Sequence, residues 1–237
     1  MIGRLNRTAK MKAYHERHII RLGARSRALF AGIALAGTIQ TASAVVSLAL
    51  HDEFSGGTQP LGSLLVQFTD IDATTVELRV TSTLVGTEFL DALYLNLNPL
   101  YDPSSIVFSA PIRNGVFGAD PAISLATNGF QADGDGKYDI RLDFDNAPPG
   151  DRFDQLDIVT YSISRPAGLS ESDFKFLSLP AGGHGPFFAA AHIQAIGPND
   201  GSGWIAPGNS VPDGGATLMM LGAAISGMGL VRRFIGA

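Results

Sequence analysis

Apolar residues that recur every second position constrain this chain more than any other feature. In Thr74–Thr81, Val76, Leu78 and Val80 share one side while Glu77 and Arg79 take the other. Tyr138, Ile140, Leu142 and Phe144 alternate with Asp139, Arg141, Asp143 and Asp145. Leu93, Leu95 and Leu97 alternate with Tyr94, Asn96 and Asn98, and Val159, Tyr161 and Ile163 repeat the pattern. A period of two is that of a strand with one buried face, because successive side chains leave opposite sides of the pleat. Clusters of Gly and Pro at 56–62, 147–150, 180–186 and 197–208 separate these stretches, as turns do. The expectation is an all-β fold, an antiparallel β-sandwich-like domain over residues 45–207. One short helix is expected after Ser170, where Ser170-x-x-Asp173 makes a capping box ahead of Phe174. There is no cysteine, so disulfides, thiolate metal sites and a cysteine nucleophile are excluded, and the apolar core alone must hold the domain.

Charge divides the chain differently. Residues 1–44 hold eight Lys and Arg and one acid, Glu16. An apolar run, Ala28–Gly37, follows the basic stretch, and the segment closes on Ala42-Ser43-Ala44. Positive, then apolar, then small is the layout of a secretory signal, with Ala42 and Ala44 as the small residues read by signal peptidase. Removing residues 1–44 leaves 9 basic and 21 acidic side chains, a net charge of −12. Such a surface repels phosphate backbones, so a nucleic-acid partner is not expected.

The C-terminal end carries a second apolar segment. Residues 208–215 read as a linker, and Ala216–Val231 is sixteen residues without a charge, closed by Arg232-Arg233. As a helix it would reach about 24 Å, near the thickness of a bilayer's hydrocarbon core. The positive-inside rule puts Arg232 and Arg233 in the cytoplasm. A single transmembrane helix at 216–237 is therefore expected, with a signal helix at 1–44 on the other flank of the β domain.

Val211-Pro212-Asp213-Gly214, with Thr217, the glycine-rich apolar segment and terminal Arg232-Arg233, resembles a PEP-CTERM-type sorting signal in its VPDSG-like variant. The resemblance covers Val211–Ala237 and departs within Gly214-Gly215, where the variant has Ser-Gly. It implies processing by an exosortase, a membrane-embedded transpeptidase-like enzyme whose nucleophile lies in that partner. Tyr138–Phe144, Ser172–Phe174, Ala189–Gln194 and Gly203-Trp204 also resemble the β domain that often accompanies such tails. That second resemblance implies no enzymatic activity. The expected product is a structural or interaction protein exported by the Sec route, held in the membrane as a precursor and then delivered to the cell envelope or extracellular matrix. An exopolysaccharide-binding module and a secreted hydrolase are the alternative readings.

Several residues are candidates for chemistry. Asp133, Asp135 and Asp139 place oxygens at spacings that suggest a calcium loop, but Gln131 and Leu142 occupy the first and twelfth positions of an EF-hand register. The competing reading is a plain Asp-Gly hairpin turn. Asp143 with Asp145, and Asp151 with Asp154 and Asp157, are possible hydrolytic carboxylate pairs, or simply an exposed acidic face. His184 and His192, with Ser178 or Asp200, would be needed for a triad, yet no Gly-x-Ser-x-Gly elbow is present. The competing reading is a structural His–Gln pair on a strand. Trp204, the only tryptophan, suits either a sugar platform or a packed edge.

Overall fold

The computed structural model describes residues 43–146 and 148–208. The apolar signal segment with Ala42, the sorting motif from Val211 to Thr217, and the segment ending in Arg232 and Arg233 lie outside the described residues.

The described domain is all-β, and among the described residues there is no α-helix. Eleven strands follow in order: β1 (Val45–Ser55), β2 (Leu64–Asp72), β3 (Thr75–Ser82), β4 (Phe89–Leu95), β5 (Val107–Phe108), β6 (Ile112–Asn114), β7 (Ala122–Ala132), β8 (Asp135–Asp143), β9 (Ile158–Ser164), β10 (Ala189–Ile196) and β11 (Gly201–Pro207). The expected alternations became β3, β8, β9 and β4, although β4 ends at Leu95 rather than running on to Asn98.

The strands do not separate into the two sheets of a sandwich. They form one antiparallel sheet in the order β5-β9-β3-β2-β1-β11-β10-β4-β8-β7, with β6 also on β9, curled into a half-barrel. The joining step is β1 against β11, with Leu50 opposite Pro207 and Ser55 opposite Trp204. That pairing connects the first and last strands of the domain, so neither presents an open edge. Two register shifts along β1 bend the sheet at this seam.

Curling brings both arms onto one core. Leu48, Val66, Phe68, Leu78 and Val80 of one arm and Leu93, Ile140, Leu142, Ile193 and Ile205 of the other belong to a single buried cluster. Each such side chain contributes about 1.5–3 kcal/mol by leaving water. The turn after Ser170 closes one end as a 3-10 turn, Glu171–Phe174. Asp173 Oδ2 accepts the backbone N–H of Ser170 at 2.9 Å, the capping box expected from the sequence. Phe174 then stacks on Phe68 with ring centroids 4.3 Å apart.

A second, smaller cluster lies apart from that core: Ala92, Tyr94, Ala132, Tyr138 and Ala190, with Phe54, Phe130 and Trp204 against it. Tyr138 was expected beside Ile140 and Leu142 but packs here, edge-on to Tyr94 at 5.7 Å. The cause is local. Between Leu125 and Phe130 the β7–β8 register slips, and Asn128 takes a left-handed φ of 51°.

Candidate functional site

The half-exposed surface beside the small cluster brings polar and aromatic side chains together. Neighbouring strands supply one row across the sheet: Asp143 (β8) opposite Ala92 (β4), Ala92 opposite His192 (β10), and His192 opposite Trp204 (β11). The next row sets Arg141 opposite Tyr94 and Tyr94 opposite Ala190. Ala92 and Ala190 have no bulk above Cβ, which leaves room for the large rings on either side.

His192 and Trp204 stack, with centroids 4.4 Å apart and planes 15° from parallel. Tyr94 tilts against Trp204 at 5.5 Å. Nδ1 of His192 lies 2.8 Å from Oδ2 of Asp91, and the two side chains remain 18% and 28% exposed. The His192 hydrogen bond holds the Asp91 carboxyl below its ordinary pKa, against the opposing effect of burial. Arg141 pairs with Asp143 and places its guanidinium 5.7 Å from the Tyr94 ring centroid. Burial pushes the Tyr94 hydroxyl up, with Arg141 opposing.

This arrangement can offer hydrogen-bonding groups of both signs beside aromatic edges. One face of Trp204 is already covered by His192, so the indole is packed into a stack rather than presented as a free platform. Asp91 was absent from the sequence candidates, since its partner is 101 residues away. The expected His–Gln pair is in fact centred on a His–Asp contact, with Gln194 a further hydrogen-bond partner of Asp91.

No family model, curated protein or solved structure matches this chain. The geometry of its own residues therefore carries the argument.

The other sequence candidates take separate places. Asp133 and Gly134 form the two-residue turn of the β7–β8 hairpin, with φ of 51° and 81°. Both central residues of a type I′ turn need positive φ, which an Asp-Gly pair tolerates. The three calcium candidates are engaged elsewhere. Asp133 accepts the Ser55 hydroxyl, and Asp135 accepts the His184 N–H at 2.9 Å and meets its ring Nδ1 at 2.8 Å. Asp139, expected on a charged outer face, is buried. It accepts the N–H of Leu97 at 3.0 Å and of Asn128 at 2.8 Å, so its carboxylate stands in for ladder bonds where regular pairing stops. Among the described residues no group of three or more His, Asp and Glu side chains is arranged to hold a metal ion.

Calcium should accordingly leave the melting temperature unchanged. A site occupied at about 100 times its Kd would add roughly 2.7 kcal/mol and move the transition by several degrees. Such a shift, seen by scanning calorimetry and removed by Asp133→Ala with Asp135→Ala, would reverse this assignment.

Ser178 does not join a histidine. Its hydroxyl accepts the Phe187 N–H at 3.2 Å, His184 serves Asp135, and His192 serves Asp91. Asp200 ends a 3-10 turn in a left-handed conformation. Asp143 is bound to Arg141, whereas Asp145 and Asp151 are exposed. Asp157 is buried and accepts the N–H groups of Val116 at 3.1 Å and Asp154 at 2.9 Å, which pins the loop before β9. Burial raises the pKa of Asp157, and burial together with the Asp157 charge raises that of Asp154.

A second acidic place was not foreseen. Asp70, Asp72 and Asp173 line a shallow cavity of about 390 Å³ with Tyr101 and Gly168–Ser170. Asp70 Oδ1 accepts the Glu171 N–H at 2.7 Å. Burial, then the hydrogen bond and charge of Asp70, raise the Glu171 pKa.

The Asp91–His192 contact makes a pH prediction. The folded-state pKa of Asp91 is depressed, so its stabilisation is present above the unfolded value of about 4 and is lost as pH falls through the lower folded value. Asp91→Asn should cost about 1 kcal/mol at pH 7, and the cost should shrink as pH falls through the lowered folded value. Urea titrations across that range check it. An equal loss at both ends would show that packing, not charge, is what the substitution removes.

Proposed function

We propose that the chain is an exported structural or interaction protein of the cell envelope or extracellular matrix. In this reading a signal peptide delivers it and an exosortase-type transpeptidase processes its tail. The observation that carries the proposal is the three-part C-terminal arrangement: Val211-Pro212-Asp213-Gly214 with Thr217, sixteen uncharged residues, then Arg232-Arg233. Each part has a physical task. Pro212 disfavours helix at the residue before it and keeps the recognition segment extended. The apolar span stalls translocation in the membrane as a helix, and the two arginines stop it on the cytoplasmic side.

The limits of the folded domain support this division. β1 starts at Val45, immediately after Ala44, and β11 ends at Pro207, four residues before Val211. Processing at both ends would therefore leave all eleven strands intact.

Mass spectrometry of the mature protein tests the proposal. Its first residue should be Val45, and residues from Ala216 onward should be missing in a host with the matching enzyme. A mature protein that keeps Arg4–Arg27 would refute the export signal.

A second reading, exopolysaccharide binding, is favoured by the row of Trp204, His192 and Asp91 beside Arg141 and Asp143. Hydroxyl-rich ligands are bound by such mixtures of aromatic edges and paired charged groups. A glycan array probed with the mature protein tests it, with His192→Ala expected to remove any signal.

A further inference from the structure

Asparagine is followed by glycine twice in the chain, at Asn114-Gly115 and at Asn128-Gly129. An asparagine side chain is open to attack by the backbone nitrogen of the next residue, and glycine has no Cβ to shield that nitrogen. The fold treats the two pairs differently.

Asn114 is the last residue of β6, whose three residues are all exposed. It stands opposite Ile158 of β9, and the chain leaves the sheet directly after it. Among the described residues no hydrogen bond engages the Asn114 side chain, and Gly115 is exposed with a positive φ of 132°. Asn128 instead lies half-buried inside β7, with Leu125 opposite Ile140 on one side of it and Phe130 opposite Tyr138 on the other. Its φ is 51°, and its N–H donates to the buried Asp139 carboxylate at 2.8 Å. Closing a ring there means first breaking backbone contacts on both sides. Even one net backbone hydrogen bond that must open slows such a step by up to about tenfold.

We propose that Asn114 is a site of spontaneous deamidation, and that the fold directs the reaction there rather than to Asn128. The Gly115 nitrogen loses its proton and bonds to Cγ of Asn114, and the side-chain amide leaves as ammonia. Water then opens the resulting succinimide. Attack at Cγ gives aspartate, and attack at the main-chain carbonyl gives isoaspartate, whose backbone runs through Cβ and Cγ. Neither step needs an oxidant, a reductant or a second enzyme.

The isoaspartate product lengthens the main chain where it is closely held. The Val116 N–H donates to Oδ1 of the buried Asp157 at 3.1 Å. The Arg113 guanidinium donates to the carbonyls of Phe117 and Gly118 at 3.0 and 3.2 Å and pairs with Asp120. Phe117 is buried edge-on to Phe153, with ring centroids 5.2 Å apart. An inserted backbone atom displaces Gly115 and Val116 from these partners and loosens the connection between β6 and β7. Its bearing on a protein that persists outside the cell rests on the export reading above, whereas the chemistry does not.

The purified full-length chain is aged in warm, mildly alkaline buffer, and its peptides are mapped by mass spectrometry with isoaspartate detection. Conversion at Asn114 should lead that at Asn128 by up to about tenfold in the folded chain, and the two rates should converge in urea, where no backbone contact protects either pair. Equal rates in the folded chain would overturn the site, and a lead that persists unchanged in urea would overturn the role of the fold. Gly115 is left in place, since a Cβ there would collide with the Asp157 carboxylate. The aged wild type should be cleaved faster by protease between Gly115 and Pro121 than fresh protein, whereas aged Asn114→Gln and fresh Asn114→Asp should not. Loosening of the Asn114→Gln chain to the same extent would place the cause elsewhere, and loosening of Asn114→Asp would assign it to charge rather than to the longer backbone. Both results overturn the proposed consequence. Neither depends on whether the tail is processed, so the sorting reading stands or falls separately.

Discussion

Pro212→Ala combined with Asp213→Ala should reduce tail processing to background in a host carrying the matching exosortase, while membrane insertion is unchanged. Neither residue lies in the uncharged span Ala216–Val231, so the energetics of placing that span in lipid stay as they were. What changes is the segment offered to the enzyme. Alanine lacks the ring that fixes φ, frees the preceding residue to turn helical, and removes the one carboxylate of the motif. Replacing Arg232 and Arg233 with Glu should give the complementary defect, with retention or topology lost while Val211–Asp213 remains intact, because Lys and Arg flanking a span set its orientation. Protease accessibility and carbonate extraction separate the two outcomes. If the double alanine chain is processed like the wild type, the motif is not a recognition element and the tail is a plain anchor.

The parts of the fold that were legible are those decided locally. A period of two in Thr74–Thr81 and Val159–Ile163 became β3 and β9, because alternation needs only one buried face to be meaningful. Asp133-Gly134 became a hairpin turn because two adjacent positive φ angles are easy for that pair. Ser170 and Asp173 capped a turn because both partners lie within one turn of chain.

What escaped was everything decided by neighbours distant in sequence. Turn spacing says that strands fold back on one another, but not that β1 will pair with β11 and fuse two expected sheets into one. Strict alternation also failed at Tyr138 and Asp139, where a register slip in the partner strand changed both environments. The candidate site shows the same limit. His192 and Trp204 were visible as unusual residues, but their stacking depends on the β10–β11 register. Asp91 had no local signal at all.

Glu88→Ala should be the most damaging single exchange of a charged residue in the domain. Glu88 is only 2% exposed, yet no basic side chain is its partner among the hydrogen bonds it makes. Its carboxylate accepts three backbone amides: Leu61 at 2.7 Å, Gly62 at 3.0 Å and Val85 at 3.1 Å. Leu61 and Gly62 belong to the connection between β1 and β2, in one arm of the curled sheet. Glu88 itself directly precedes β4, in the other arm, so the carboxylate clamps the two arms at one end of the core. The contact is close enough that a Cβ on Gly62 would lie 2.3 Å from Leu84 Cα, so Gly62→Ala should disrupt the same junction by steric means.

Hydrogen bonds to a charged group contribute about 1.5–3 kcal/mol each, and amides left buried without partners cost a similar amount. Because the three bonds share one acceptor group they do not add fully, and a loss of about 3–5 kcal/mol is expected. For a domain of this size that lowers the melting temperature by about 10 °C. Glu88→Gln should lose less, since one oxygen still serves Gly62 and Val85 while the amide nitrogen faces the Leu61 donor. Asp145→Ala, at an exposed position, should change stability by less than about 0.5 kcal/mol. Urea denaturation of the four proteins at pH 7 ranks them. A Glu88→Ala loss no larger than that of Asp145→Ala would mean that water satisfies the three amides equally well and that the arms are held by the apolar core alone.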